Sequence, residues 1–253
     1  MKDTMPIYLV SLKKDTQRRE ILQKNFTRYY DKMQIIDAVD SEHISAKKYF
    51  YDTLPYYKKY KKLMSPSELG CTLSHIEVLK KFLKTDEEMA LILEDDIIGS
   101  DEDLDKLKDI TNLLPKNSLL ILGGLDGLRT KYLLGKESKF NKNLMKIPKS
   151  LFPNLNRTCC YIVTRQSAKI ILDSHNKLLN IADRWGVFFL NTSIDIYFTK
   201  LLKHPFVKAN SNIEEERGLA KVKRMKLPIK ELKRVERRII VLYYKILGYK
   251  KLY

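Results

Sequence analysis

The chain has 253 residues, a formal charge of +17, and 44% hydrophobic and 31% charged side chains, which suits one sizeable core with a small appendage and excludes disorder. The charge is uneven: residues 218–253 hold twelve Lys/Arg against two Glu, so the excess is a basic tail and not a basic domain. Ile7–Val10 is too short for a secretion signal and Ile239–Tyr244 too short for a membrane span, while Cys71, Cys159 and Cys160 lack metal-ligand spacing, so the expectation is a reducing cytoplasm.

Residues 6–12 predict a first strand, and Asp15 opens a helix to about Tyr30 with Arg18 and Arg19 in its first turn. Two arginines there oppose the helix dipole, so they either meet an anion such as a diphosphate or are simply solvated. Gln34–Val39 predicts a second strand. Residues 41–64 interleave Tyr and Lys, reading either as a platform for a sugar or base or as a mobile surface segment. Ser65-Pro66-Ser67-Glu68 is a helix start with a capping box, and Leu69, Leu73, Ile76, Leu79 and Leu83 predict its buried face. Gly70 near the start of that helix suggests close approach of another backbone or a ligand. His75 is either a hydrogen-bonded structural residue or part of a site.

Ala90–Leu93 predicts a buried strand that ends in Glu94-Asp95-Asp96. Open α/β sheets bind ligands at the carboxyl ends of strands, and three adjacent anions are most stable beside a cation. Hard oxygen ligands favour Mn²⁺ or Mg²⁺. In an extended chain Glu94 and Asp96 share one side, which makes them the expected metal ligands, with Asp95 on the other. The alternative is a strand running into an acidic, solvated loop. Beyond it, Asp101–Leu114 predicts a helix, Ser118–Leu122 a strand, residues 125–148 a long excursion or hairpin, Cys160–Thr164 a strand and Gln166–His175 a helix. Ile194–Leu202 is apolar-rich, and His204-Pro205 leads out of the core. Alternating strands and helices predict an α/β fold with a mainly parallel sheet.

Four stretches together resemble glycosyltransferase family 25, of the lipooligosaccharide galactosyltransferase type. They are Tyr8–Leu12 with Arg18-Arg19; Ser67-Glu68-Leu69-Gly70-Cys71-Thr72-Leu73-Ser74-His75, with Ser67 where the family has Gly; Ile92-Leu93-Glu94-Asp95-Asp96, the family's form of a D-x-D motif; and Cys159–Arg165. Asp183 with Trp185, and Asn212-Ile213 with Arg217, resemble later elements. The resemblance covers roughly residues 5–217 and implies a GT-A, Rossmann-type fold, a nucleotide-sugar donor and inversion at the anomeric carbon. It makes residues 1–217 the expected transferase domain and 218–253 a basic amphipathic helix.

The expected reaction is metal-dependent transfer of a hexose, galactose from UDP-galactose, to a lipooligosaccharide or other surface glycan. Glu94 and Asp96 would hold Mn²⁺ or Mg²⁺; Arg19, Glu68, His75 and Asp95 would contact the donor; Asp183, with Asp126 and Asp195 behind it, would take the acceptor proton. In the tail, Ile229, Leu232, Val235, Ile239, Leu242 and Ile246 recur at helical spacing between Lys230, Lys233, Arg234, Arg237 and Arg238. Such a helix either lies on the anionic inner face of the cytoplasmic membrane or packs on its own domain or a second subunit. A metal-dependent nuclease and a non-catalytic UDP-sugar or glycan-binding module are the competing readings. No nuclease motif accompanies the acids, so no nucleic-acid partner is expected.

Overall fold

The computed structural model describes residues 5–128, 132–205 and 228–253, with side chains from residue 235 in the last stretch. Its strands are β1 (Ile7–Ser11), β2 (Met33–Asp37), β3 (Met89–Glu94), β4 (Ser118–Gly123), β5 (Leu134–Glu137), β6 (Met145–Ile147), β7 (Cys160–Thr164), β8 (Asp195–Leu202) and β9 (Lys250–Lys251). They form one sheet in the order β2-β1-β3-β7-β4-β8-β6-β5-β9. Five of the first six strands in that order, β2, β1, β3, β4 and β8, run the same way, and β7 runs against its neighbours β3 and β4. The expected α/β fold, a mixed, mostly parallel sheet flanked by helices, is the fold observed.

The two faces follow from strand periodicity. In β1 and β3, Ile7, Leu9, Leu91 and Leu93 join Leu22 and Phe26 of the first helical segment on one face. Tyr8, Val10, Ala90 and Ile92 join Val78, Leu79 and Phe82 on the other. The helices are α1 (Thr16–Asn25), α2 (Ala46–Tyr60), α3 (Pro66–Leu83), α4 (Asp101–Asp105), α5 (Leu107–Thr111), α6 (Arg165–Lys177), α7 (Trp185–Phe189) and α8 (Pro228–Ile246).

Several local expectations change. The helix predicted to reach Tyr30 stops at Asn25, where the buried Phe26 donates its backbone N–H to Leu22 O and turns the chain. Most of residues 41–64 is helical: α2 is N-capped by Ser45, whose side chain accepts the Lys48 N–H, and it buries Thr53 and Tyr56. The predicted helix over 101–114 is two short helices meeting at Lys106. The capping box of α3 forms as expected, but its buried stripe is rotated. Leu69, Thr72, His75, Val78, Leu79 and Phe82 are buried while Leu73, Ile76 and Leu83 are only half-buried.

At the C-terminal end, α8 docks on the main core through Ile240, Val241 and Tyr244. The stripe read from the sequence points away: Val235 is 53% exposed, Ile239 62%, Leu242 60% and Ile246 77%. After α8 the chain returns to the sheet, with β9 pairing β5 and Leu252 buried in the core. The Asn212-Ile213 and Arg217 element, the 217/218 boundary, and the side chains of Ile229, Lys230, Leu232, Lys233 and Arg234 lie outside the described residues.

Candidate functional site

The parallel strands β1, β3, β4 and β8 leave the sheet at one edge, and the reversed β7 enters it there. This topology delivers Ser11, Glu94, Gly123 and His204 from strand exits, and Arg157 and Thr158 from the entry to β7, to a single end of the sheet.

The three acids do not share one task. The strand ends at Glu94 and the chain turns at Asp95-Asp96, so strand alternation no longer sets where they point. Glu94 Oε1 lies 3.0 Å from His75 Nε2 and also accepts the Thr158 hydroxyl, while His75 Nδ1 lies 2.9 Å from the Tyr161 hydroxyl. With the Tyr161 O–H donating to Nδ1, the Nε2–H donates to Glu94, and both ring nitrogens of His75 are satisfied. Burial, with the Glu94 charge, pushes the Tyr161 hydroxyl well up from its ordinary value, which suits a donor. Asp95 is buried and receives Arg18 at 2.9 Å. Its burial pushes the carboxyl up against the pull of Ser11 and Arg18.

Asp96 faces His204, Oδ2 to Nε2, at 3.1 Å. Burial opposes its charge, but His204, Arg18 and Arg157 hold the carboxyl below its usual range. His204 is likewise raised, its burial outweighed by Asp96. The other oxygen, Asp96 Oδ1, is shielded from solvent and has no partner among the described residues. A buried, unpaired carboxylate oxygen is costly, and with an imidazole beside it this O/N donor set fits a divalent cation. A second group, Cys71, His75 and Glu94, brings donor atoms within 4.8 Å of one another and could also hold a metal ion.

The remaining predicted residues are distributed as follows. Asp183 is at the site, its Oδ2 accepting the Arg157 N–H at 3.0 Å. Asp126 is there too, but its Oδ2 accepts the His204 N–H and faces the Tyr253 hydroxyl, shaping the loop that carries His204. Asp195 is not brought in: it begins β8 at the opposite end of the sheet and pairs with Lys146 at 2.6 Å. Arg19 is spent on Ser11 and Leu12, tying α1 to β1, so Arg18 takes the place expected for it. Glu68 is buried and closes the α3 capping box by accepting the Ser65 N–H, which accounts for it without a donor contact.

The Gly70–His75 run spreads its contacts around α3 to several segments. A Cβ on Gly70 would lie 2.6 Å from Val39 O, so the close approach expected there is a backbone, not a ligand. Cys71 Sγ faces Thr158, Thr72 accepts the Ala182 N–H, and Ser74 accepts the Val39 N–H. Burial pushes the Cys71 thiol well up, which keeps it protonated unless a metal ion binds.

Sequence reasoning missed Arg157 and His204. Arg157 has φ 76, a left-handed backbone uncommon outside glycine. Its guanidinium bridges Gly124 O at 2.7 Å and Asp126 O at 2.8 Å, and its carbonyl accepts the Trp185 indole, so it clamps three loops. Its place before the Cys159-Cys160 strand was the available signal. His204 carried only its place after β8.

A family profile described as "Glycosyltransferase family 25 (LPS biosynthesis protein)" matches residues 4–185. A "Glycosyltransferase 25 family member" of Anopheles gambiae is 34% identical over 97 residues, 36% of this chain and 16% of that protein. "Procollagen galactosyltransferase 2" of Mus musculus is 27% identical over 96 residues, 36% of this chain and 15% of that protein. The chain thus matches about a sixth of the length of these curated relatives. Among solved structures, a mannose-1-phosphate geranyltransferase from Thermus thermophilus aligns with 76% of this chain and 58% of that one, at 13% identity and a TM-score of 0.30.

Proposed function

This chain belongs to glycosyltransferase family 25, and from that premise we propose that it moves a hexose, galactose from UDP-galactose, onto a hydroxyl of a lipooligosaccharide or other surface glycan with inversion. The galactosyl assignment is supported by the name of the mouse relative and by the resemblance in its motifs. The single observation that carries the reading is the Asp96–His204 pair at the carboxyl end of the sheet, with one carboxylate oxygen buried and unpartnered.

Asp96 and His204 are the residues that would hold Mn²⁺ or Mg²⁺; Glu94, proposed from the sequence as the other ligand, is better described as the anchor of the His75–Tyr161 relay. A divalent cation at such a site neutralises charge on a departing diphosphate. Arg18 holds Asp95 and adds positive charge where a nucleotide diphosphate would lie. Asp183, oriented by the Arg157 N–H, is the carboxylate proposed to take the acceptor proton. The surface stripe of α8, with Arg237, Arg238 and Lys245 also exposed, supports a peripheral position on the anionic inner face of the cytoplasmic membrane, where lipid-linked glycans are accessible.

The test is UDP release from a panel of UDP-sugars with a mixed glycan acceptor pool, with Mn²⁺ and with EDTA. Metal-dependent release from one sugar identifies the donor and upholds the reading. A chain that shows neither release nor a UDP-induced thermal shift is not this transferase, and a nucleic acid cleaved by the same preparation would replace the reading with a nuclease.

A further inference from the structure

The transferase reading leaves α2 unused, yet its outer face is unusual. Phe50 is 59% exposed, Tyr51 81%, Leu54 46% and Tyr57 42%. Phe50, Leu54 and Tyr57 follow one another at i, i+4 and i+7, and Tyr51 lies beside them, so the four form one apolar patch on a rigid helix. Exposed Lys47 lies at one end of the patch and Lys58 at the other. Residues 46–63 contain six Lys and a single Asp.

The opposite face of the same helix belongs to the protein. Tyr56 is fully buried and its hydroxyl receives Arg184 at 3.3 Å, next in the chain to Asp183; Tyr60 reaches Asn180. The helix therefore packs against the loop that carries the candidate base, and Phe50, Tyr51, Leu54 and Tyr57 lie on the side away from those contacts. A clustered apolar patch of this kind marks an interaction surface.

We propose that the outer face of α2 is a lipid-docking surface, with Phe50, Tyr51, Leu54 and Tyr57 entering the interfacial zone of an anionic bilayer and the flanking lysines meeting its headgroups. The charge selects this occupant. Lysines beside an apolar patch complement an anionic headgroup layer, and aromatic rings with aliphatic chains suit the boundary between headgroups and acyl chains. A sugar ring would gain from the aromatic faces but not from Leu54 or from the exposed Leu63. Docking through α2 stands independently of the transferase reading, because vesicle binding needs no turnover, and it is separate from the exposed stripe of α8.

The experiment uses the full chain carrying Leu54→Trp and vesicles of phosphatidylglycerol and phosphatidylethanolamine with brominated acyl chains. Trp185 is 1% exposed and serves as a constant background. Bromine quenching of the new indole is expected, together with a fall of about tenfold or more in vesicle partitioning for Phe50→Ser/Tyr51→Ser/Leu54→Ser. Unquenched indole on protein that still floats with the vesicles would mean that another surface docks, and would overturn the proposal. So would unchanged partitioning of the triple variant, an emission shift with a soluble glycan but not with vesicles, or a shift that depends only on protein concentration and thus reports a second copy.

Discussion

Asp96 and His204, which come from the ends of two different parallel strands, meet Oδ2 to Nε2 at 3.1 Å, and the free oxygen of the pair is buried without a partner among the described residues. Without a cation each residue stabilises the charge of the other, and a divalent cation would displace the proton from His204 Nε2 in order to take both as ligands. Asp96→Asn and His204→Asn are each expected to weaken Mn²⁺ binding, read by calorimetry, and to cut transfer on the order of 100-fold. Retention of full transfer by Asp96→Asn would remove the metal role from this pair.

Glu94 is held by His75 and Thr158, and His75 by Tyr161. Replacing His75 with Phe strands the buried Tyr161 hydroxyl and leaves the Glu94 carboxylate with the Thr158 hydroxyl. A stability loss of about 1–3 kcal/mol is expected in urea unfolding, and His75→Gln should recover part of it. If His75→Phe is as stable as the parent, the relay is not structural.

Gly70 offers a test in which two rules disagree. Helix propensity alone predicts that Gly70→Ala stabilises α3 by about 1 kcal/mol. The added Cβ would sit 2.6 Å from the Val39 carbonyl oxygen, a backbone atom that cannot swing aside. The contact should win, with a net destabilisation of about 1–3 kcal/mol visible in the denaturation midpoint. A raised midpoint would show that the 38–41 loop yields.

His175 lies buried on α6 against Phe188, its Nδ1 accepting the Asn180 N–H, and burial lowers its pKa to about 4. The unfolded chain binds this proton near pH 6.5 and the folded chain only near pH 4, so stability falls as pH drops through that window. At pH 5 the loss from this group is about 2 kcal/mol relative to pH 7. His175→Asn retains an acceptor for Asn180, and its stability should decline less between pH 7 and pH 5. Parallel pH profiles of the two proteins would refute the assignment.

Local rules carried much of this molecule. The α3 start was legible because Ser65, Pro66 and Glu68 act within one turn of helix, where geometry is set by neighbours in sequence. The strands β1, β3 and β4 were legible because a sheet covered on both faces demands continuous apolar runs, and the resemblance carried by Gly70–His75 and Glu94–Asp96 pointed to the family that the comparison supports. Gly70 was legible as a close approach, since a glycine in an early helical turn has few other reasons to be there.

Tertiary structure decided what depends on partners far along the chain. Whether Arg18 or Arg19 faces the acids follows from how α1 rotates on β1. Whether Glu94 and Asp96 act together depends on the turn that begins after Glu94. The reversal of β7 brings Arg157 and Thr158 to the site, and the length of β8 brings His204 there while leaving Asp195 at the far end. The amphipathic pattern of α8 fixed that one face is apolar, but only the docking of Ile240, Val241 and Tyr244 determined that Ile239, Leu242 and Ile246 remain on the surface. Periodicity records which side chains share a face; which face finds a partner is set by contacts between segments that the sequence holds apart.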